Sequence, residues 1–587
     1  MPKSLKQPSH RAKKRKYDHD LTCVRKFSSS VSQLIPVFYD LAYPGDRYDF
    51  RTEMFTQLRE IVSPAMTHIT EHVEWFFVPL KQISQLAPDS IFGIQDYHTT
   101  FVDNANNTKG RPIPLFNAKA LVNDIVTFDE SLDYQDIDLD EEIDPLATTS
   151  DNLLRCDVFG IPHYFNVQRL SQMLGFGTLF VHIANQYISN DKSLLLNPMF
   201  ACAYQKIWFD CFRIDNRIAN DARYYNLDKY AVAGVVHDFD ASLFFSMRYR
   251  PWKLDFFTSL LPSPLIDYGS IGMQSDQGGD LSLVDAKLYV AQNLNENSAN
   301  KTINLSEGNL SLGNLRGAFA VEKLMEITRR ADKNYNAQVL AHFGFEVPKG
   351  ILDHVYRLAK ESTVVNIDEV FATADGSNGV STTSLGQKGG RASAYMKPMK
   401  NPRFTAPCHG IIMALFSAVP NADYSNFGVD RLNTYDTRQD YWQPELDKLS
   451  MQPCFGYQIF MNGLTLAINA QNTILGWQFR YQESKVKINL CSGIFTYNES
   501  FKSWTTQRDL FTDNDSFAGL TYQNVLHWSF YYIDPCFIDS IMLLQFKPTD
   551  NMSMVSKNVW NRDPLLHWFK FYVHKASEIS NYSLPSL

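Results

Sequence analysis

The sequence has few cysteines for its length and no long apolar run. Its eight cysteines among 587 residues are dispersed and form no Cys-x-x-Cys pair, which argues against a zinc ribbon, a redox motif and a disulfide scaffold. The best apolar run, Ile411 to Val419, is about half of the ~18 to 20 residues that span a bilayer, so no membrane span is expected. No apolar segment or cleavage site follows the basic start, so we expect no secretory signal. These absences predict synthesis and folding in a cytosol.

Glycine and proline are also too scarce for collagen or for general disorder, at 28 and 26 residues. Apolar residues make up 44% and aromatic residues 13% of the chain, which is ample material for a core. At ~150 residues per domain the length corresponds to about four domains, and one core with long insertions fits equally well. The composition therefore predicts a folded chain without fixing its number of domains.

Acidic residues are missing from the first 16 positions, where basic residues are concentrated. We predict that residues 1–26 form a flexible basic arm. Seven of its side chains are candidate nucleic-acid contacts, because a cation placed on a phosphate releases counterions: Lys3, Lys6, Arg11, Lys13, Lys14, Arg15 and Lys16. Residues 17–587 carry 48 basic and 63 acidic side chains, a net charge of −15. A solubilising tail without a ligand explains the arm equally well.

Catalytic and metal-binding motifs are not found. Residues 386–391 have the wrong order for a phosphate-binding P-loop, and no GxSxG or HExxH motif occurs. Cys408 and His409 are neighbours on a predicted strand and point to opposite faces, so His409 is predicted to be a core histidine. The nine carboxylates of residues 129–144 lack the glycine and glutamate of a calcium loop and predict a solvated loop. We therefore predict no catalytic residue, no metal, no cofactor and no enzymatic activity.

Hydrophobic periodicity predicts strands at both ends of the chain and helices in the middle. Strands are predicted at 34–38, 71–78, 411–419, 477–481, 528–533 and 541–546, with a turn at 44–46 after the first. Helices are predicted at 53–62, 167–174, 204–212 and 315–330, and loops at 267–314 and 375–393. The pattern favours one antiparallel sandwich with long insertions.

Several strings, taken in chain order, resemble the major capsid protein of the Microviridae, the small icosahedral single-stranded DNA bacteriophages. They are Leu34-Ile35-Pro36-Val37, Trp75-Phe76-Phe77-Val78-Pro79, Ala203-Tyr204-Gln205-Lys206-Ile207-Trp208, Asp255-Phe256-Phe257-Thr258, His342-Phe343-Gly344, Pro444-Glu445-Leu446 and Gly476-Trp477-Gln478. The resemblance covers roughly residues 30–500. Two departures are Cys202, where the family string begins with arginine, and Ala331-Asp332-Lys333-Asn334 in place of Ala-Arg-Gly-Gly. They indicate a divergent branch of the family.

The resemblance implies a mainly β fold, an eight-stranded antiparallel jelly roll of the viral capsid type with long, partly helical inter-strand insertions. We expect residues 27–587 to form a single jelly-roll capsid domain, with a surface-exposed insertion at 267–314 that is a candidate for host attachment, as in gokushovirus-like members. The implied function is structural: the major capsid protein of a T=1 icosahedral shell of sixty copies that encloses circular single-stranded DNA.

The resemblance also implies partners and a location. The expected partners are other copies of the chain, the packaged single-stranded DNA, a small basic DNA-packaging protein, a vertex or pilot protein and a host surface receptor. The expected location is the virion, after synthesis in the bacterial host cytoplasm.

The sequence is compatible with two other functions. A carbohydrate-binding or carbohydrate-active β-sandwich is the main alternative, since the nine tryptophans and 29 tyrosines offer rings that stack on sugars. A single-stranded DNA-binding protein of non-viral origin requires a basic groove with interleaved aromatics, which the net charge of −15 outside the arm disfavours.

Overall fold

The computed structural model describes residues 16–59, 61, 63, 65–84, 91, 116–117, 163–177, 195–214, 218–229, 243–261, 339–340, 342–344, 354–371, 388–396, 402–425, 428–436, 440–444, 451–459, 474–497, 499–508, 528–542 and 563–581.

These residues contain seventeen strands. They are β1 (Tyr17–Asp20), β2 (Cys23–Ser29), β3 (Ile35–Ala42), β4 (Arg47–Leu58), β5 (Ile69–Pro79), β6 (Phe116–Asn117), β7 (Leu195–Leu196), β8 (Tyr356–Phe371), β9 (Lys388–Met396), β10 (Arg403–Thr405), β11 (Gly410–Pro420), β12 (Asp423–Ser425), β13 (Met451–Phe455), β14 (Ile474–Phe479), β15 (Asn489–Cys491), β16 (Gln507–Arg508) and β17 (Leu565–Ser577).

The helices described are shorter in total than the strands. The α-helices are α1 (His163–Met173), α2 (Met199–Cys211), α3 (Gln482–Lys485), α4 (Ile494–Tyr497) and α5 (Trp528–Tyr531). Single turns of 3₁₀ helix occur at Leu80–Gln82, Ala222–Tyr224, Leu227–Lys229, Arg431–Thr434, Gly456–Gln458 and Asp539–Ile541, and a longer one at Glu499–Trp504.

Ten of the strands form one antiparallel sheet. Eight follow one another in the order β1-β17-β4-β9-β8-β5-β11-β3, while β2 also pairs with β17 and β10 with β4. The sheet curls on itself: Trp75 of β5 stacks on Phe50 of β4 at 4.6 Å between ring centroids and meets Phe571 of β17 at 5.9 Å. The predicted mainly β, jelly-roll type of architecture is confirmed, although the sheet has ten strands in the described residues and the expected count of eight is not confirmed.

A second hydrophobic core covers the outer face of one half of the sheet. Along β5, Trp75 and Phe77 point into the curled sheet, whereas Phe76 and Val78 point out and join a cluster that includes α1 and α2. Tyr204 of α2 donates a hydrogen bond from its hydroxyl to the carbonyl oxygen of Leu34 at 2.9 Å. The second half of β5 is therefore buried on both faces, which explains its uninterrupted apolar run from Trp75 to Pro79.

The other half of the sheet has a different pattern. Along β4 and β17 every second side chain is buried, and the side chains between them are exposed or half-buried. This period of two is typical of strands that pack on a core with one face only. The half built from β4 and β17 therefore presents an open face to solvent.

Several sequence predictions are confirmed. The strands predicted at 34–38, 71–78 and 411–419 correspond to β3, β5 and β11, and the helices predicted at 167–174 and 204–212 correspond to α1 and α2. The strand predicted at 477–481 is confirmed only as far as Phe479, where β14 ends. The predicted turn at 44–46 is present, with Gly45 at a φ of 88° that a side chain would disfavour. The helix predicted at 315–330, the insertion at 267–314 and the acidic loop at 129–144 lie outside the described residues.

Other predictions are wrong. Residues 53–58 belong to strand β4 and not to a helix, because Met54, Thr56 and Leu58 alternate into the core. Residues 528–531 form the short helix α5 instead of a strand. The loop predicted at 375–393 is a strand from Lys388 onward, where β9 pairs between β4 and β8.

The predicted arm also needs a correction at its boundary. Residues 17–26 are not a free segment, since β1 and β2 pair in turn with the two halves of β17. The apolar side chains of Leu21, Cys23 and Phe27 pack against the core of the curled sheet, which explains why this part is ordered. Residues 1–15 lie outside the described part of the chain.

Candidate nucleic-acid interface

Lys16, the last of the seven predicted nucleic-acid contacts, lies where the arm joins the sheet. Of the seven predicted nucleic-acid contacts, Lys3, Lys6, Arg11, Lys13, Lys14 and Arg15 lie outside the described residues. Lys16 is described, and its ammonium group donates a hydrogen bond to the carbonyl oxygen of Gly45. Burial, and then the nearby charge of Arg47, lower the pKa of Lys16. Lys16 therefore anchors the arm to the folded body beside Tyr17, which pairs with Ser577 at the end of β17.

The open face of β4 and β17 carries a row of aromatic side chains. Trp568 of β17 lies opposite Lys26 of β2 on one side and opposite Phe55 of β4 on the other, and Phe55 lies opposite Tyr395 of β9. Phe55 is 38% exposed and Tyr395 53%. Neighbouring strands are about 4.8 Å apart, so three rings and one cation cross four strands in a single line.

A second group of side chains adds cations to this line. The guanidinium of Arg51 lies 4.6 Å from the ring centre of Tyr572, and the ammonium of Lys570 lies 4.4 Å from the same ring. The carboxylate of Glu53 accepts hydrogen bonds from the hydroxyls of Tyr395 at 2.8 Å and Tyr572 at 3.1 Å. These bonds fix the direction of both rings. The ring of Tyr395 is exposed, whereas the two cations lie over the ring of Tyr572.

We call this set of outward-facing residues the sheet surface. It consists of Lys26, Arg51, Glu53, Phe55, Tyr395, Trp568, Lys570 and Tyr572. The sheet surface contains three cations and one carboxylate, so its net charge is positive, whereas residues 17–587 as a whole carry a net charge of −15.

A buried polar network lies directly beneath the sheet surface. His567 of β17 shares hydrogen bonds with Ser29 of β2 at 2.8 Å (Nε2 to Oγ) and with Thr56 of β4 at 2.9 Å (Nδ1 to Oγ1). Thr56 donates to Glu71 of β5 at 2.9 Å. All four side chains are buried, so the network ties both halves of the curled sheet together across the core.

Burial shifts the ionisation of this network. Desolvation raises the pKa of Glu71 to about 8 and lowers the pKa of His567 to about 3. Ser29 and His567 have the spacing of a nucleophile and its base, but their burial leaves no room for a substrate. The network is therefore a structural connection between strands.

The other candidate nucleophile is equally inaccessible. Cys408 and His409 are both buried, and desolvation raises the pKa of the thiol to about 12 and lowers that of the imidazole to about 4. A neutral thiol beside a neutral imidazole does not form the reactive ion pair of a cysteine nucleophile. The prediction that His409 is a core residue agrees with its burial.

Two features are absent from the described residues. No group of three or more His, Cys, Asp or Glu side chains is arranged to hold a metal ion there. Within the same residues, no helix is both long enough and apolar enough to cross a membrane.

The sheet surface has the chemistry that single-stranded nucleic acids require. Bases stack on aromatic faces without regard to sequence, while cations between the rings neutralise the backbone. The sheet surface was not predicted from the sequence, because the net charge of −15 of residues 17–587 conceals this local group of rings and cations. The available signal was the cluster Trp568, Lys570 and Tyr572 at alternate positions of one strand.

Comparisons with known proteins identify the wider relationship. A family model described as "Capsid protein (F protein)", a family of phage proteins, matches residues 192–514, more than half of the chain. The "Capsid protein VP1" of Chlamydia phage 1 is 24% identical over 207 residues, which cover 34% of this chain and 34% of that protein. The match thus spans about a third of the length of this curated relative.

Proposed function

Since this chain belongs to the phage capsid protein (F protein) family, we propose that it is the major capsid protein of a T=1 icosahedral shell that encloses circular single-stranded DNA. The family predicted from the sequence motifs is confirmed, and membership implies a structural protein of the virion that assembles with copies of itself. The observation that supports the proposal is the family match. The matched residues, 192–514, include strands β8, β9 and β11 of the curled sheet.

We propose that the sheet surface and the basic arm together contact the packaged DNA. The arm begins at the edge of β17, and β17 contributes Trp568, Lys570 and Tyr572 to the sheet surface. The affinity of a protein for single-stranded DNA comes from stacking of bases on aromatic rings and from attraction of cations to phosphates. The sheet surface supplies the rings, and the arm supplies up to seven positive charges. The sheet surface then faces the interior of the shell.

The remaining partners belong to the same proposal. Residues 267–314 contact a host surface receptor from the outside of the shell, and a small basic packaging protein and a vertex or pilot protein complete the particle. Synthesis takes place in the cytoplasm of the bacterial host. The support for these partners is the family membership alone.

The test is to express the full chain and to measure its largest species by electron microscopy and mass determination, with and without circular single-stranded DNA. We expect closed icosahedral particles of one size that retain the DNA after nuclease treatment. A chain that stays monomeric with and without DNA and binds oligosaccharides would favour the carbohydrate-binding alternative instead.

A further inference from the structure

A short loop presents two adjacent large aromatic side chains to solvent. Tyr441 and Trp442 lie in the described segment 440–444 and are 58% and 61% exposed. Single exposed apolar residues are ordinary on protein surfaces and need no explanation. An exposed Trp next to an exposed Tyr is different if the backbone that carries them is held in place, since such rings are the usual energetic centres of protein interfaces.

The backbone on both sides of Trp442 is fixed by one buried side chain. The hydroxyl of Tyr481 donates to the carbonyl oxygen of Tyr441 at 3.2 Å and accepts from the amide of Gln443 at 3.3 Å. Tyr481 itself is 3% exposed and adopts a left-handed backbone conformation with φ at 60°. Such a conformation costs about 1 kcal/mol or more for a residue other than glycine and persists only where the surroundings impose it.

The surroundings that impose it are a buried carboxylate and its donors. Glu483, 3% exposed, accepts hydrogen bonds from the hydroxyl of Tyr435 and from Nε2 of Gln452, the latter at 2.5 Å. Oε1 of Gln452 accepts from the backbone amide of Tyr481 at 2.9 Å. The guanidinium of Arg431 lies 3.7 Å from Glu483 and 3.9 Å from Asp440, so it joins the loop to the same network.

This arrangement favours a protein partner over a sugar. Sugar sites combine a stacking ring with polar groups that are aimed at the ring hydroxyls of the ligand. Here the carboxylate of Glu483, the amide of Gln452 and the hydroxyl of Tyr481 are engaged in holding the loop. What remains exposed is a pair of large aromatic side chains on a backbone held by hydrogen bonds, with Tyr441 packed edge-to-face on Tyr435 at 5.3 Å between ring centroids. Exposed aromatic side chains on a preorganised backbone are typical of interface anchors.

We propose that Tyr441 and Trp442, which we call the aromatic loop, form an assembly contact with a second copy of this chain. This inference rests on the proposed function, since a shell requires each subunit to bury part of its surface against its neighbours. The loop lies within the family match at 192–514, and the second copy is the partner that capsid family membership implies. Trp442 occupies an apolar recess of the neighbouring subunit, and Glu483 positions it without touching that neighbour.

The experiment compares the full chain with the double variant Tyr441→Ala/Trp442→Ala and with Leu254→Ala. Leu254 is 74% exposed and belongs to neither the aromatic loop nor the sheet surface, so its variant is a matched control for the loss of exposed apolar area. Sedimentation over a concentration series measures self-association, and hydroxyl-radical footprinting of Trp442 measures its protection. Thermal unfolding verifies that each variant is folded.

We expect the full chain and Leu254→Ala to associate at the same concentration, and the double variant to require at least about tenfold more protein while keeping its unfolding temperature. Trp442 becomes protected as the full chain associates. Particles that form with Trp442 still fully reactive would overturn this inference and leave the proposed capsid function standing. A full chain that remains monomeric at every concentration, with or without DNA, would overturn both. Oligosaccharide binding lost in the double variant with unchanged association would assign the loop to sugars.

Discussion

Among the described residues, the sheet surface and the aromatic loop both present aromatic side chains to solvent, and they differ in what lies around the rings. On the sheet surface, Trp568, Phe55 and Tyr395 form a row across regular strands and have cations beside them. On the aromatic loop, Tyr441 and Trp442 stand on irregular backbone that a buried carboxylate network holds. Rings beside cations suit a polyanion with stackable bases, whereas exposed rings on a fixed loop suit an apolar recess of a protein partner. The neighbours of an exposed ring therefore indicate its partner better than the ring does.

The largest effect is expected in the core that supports the sheet surface. Trp75→Ala should lower the free energy of unfolding by about 3–5 kcal/mol, because this buried ring packs on Phe50, Phe38 and Phe571. Urea denaturation measures the change. Phe55→Ala, on the outward side of the same sheet, should cost less than about 1 kcal/mol, and equal costs for the two variants would contradict the assigned faces.

The buried network beneath the sheet surface predicts a pH dependence. The pKa of Glu71 is raised from 4.5 to about 8, so its contribution is fully present below about pH 4.5 and is lost as the pH rises through about 8. Relative to Glu71→Gln, the full chain should lose up to about 1.4 kcal/mol per pH unit in this window. Denaturation curves at pH 5, 6, 7 and 8 measure the difference. Parallel pH profiles for the two proteins would show that Glu71 is not the group responsible.

The carboxylate below the aromatic loop should matter more for local order than for the whole fold. Glu483→Ala leaves the donors of Tyr435 and Gln452 without their acceptor, a cost of about 1–3 kcal/mol. We expect faster hydrogen exchange at the amide of Gln443 and weaker association, with part of both restored by Glu483→Gln. Unchanged exchange in Glu483→Ala would show that the network does not hold the loop.

The aromatic row of the sheet surface should contribute to DNA affinity and not to association. Phe55→Ala/Tyr395→Ala should weaken binding of single-stranded DNA by tenfold or more, since each stacked base is worth about 1–3 kcal/mol. Filter binding at fixed salt measures this loss. Tyr441→Ala/Trp442→Ala should bind DNA as the full chain does. A similar loss of DNA affinity in both double variants would contradict the assignment of DNA binding to the sheet surface alone.

The smallest effect concerns a single cation. Lys570→Ala should reduce the slope of log affinity against log salt by about 0.7, the value expected for one phosphate contact on a single strand. Titrations at several salt concentrations measure the slope. Loss of affinity with an unchanged slope would mean that Lys570 acts through the ring of Tyr572 and not on a phosphate.

The sequence predicted best the strands whose surroundings are uniform. Strand β5 was predicted from the alternation of Val73, Trp75 and Phe77 with polar residues. Strand β11 pairs on both edges and was predicted from its apolar run. The helix α2 was predicted because its apolar residues recur at three and four positions. The motifs at 75–79 and 203–208 belong to these elements, which explains why the family was predicted as well.

Two of the failures, at strands β4 and β17, lie on the sheet surface. The outward Phe55 lies beside the inward Met54 and Leu58, which imitates the spacing of a helix and hid strand β4. In a strand with one solvent-facing side, the outward positions are usually polar. In β17 two of them are Trp568 and Tyr572, so the sequence shows no alternation of apolar and polar residues and the strand was not predicted. The aromatic residues proposed to bind DNA are thus the ones that conceal the strand in the sequence. The aromatic loop is held by Tyr481 and Glu483, which are about forty residues away in sequence. Hydrophobic periodicity describes only local structure, so it could not predict that these residues lie beside the loop.

The most direct test is a cryo-electron microscopy reconstruction of particles assembled from the full chain with circular single-stranded DNA. We predict a closed icosahedral shell in which Trp568, Phe55 and Tyr395 face the interior beside nucleic-acid density, while Trp442 is buried between neighbouring subunits. A shell with the sheet surface on its outside, or with Trp442 exposed to solvent, would contradict it.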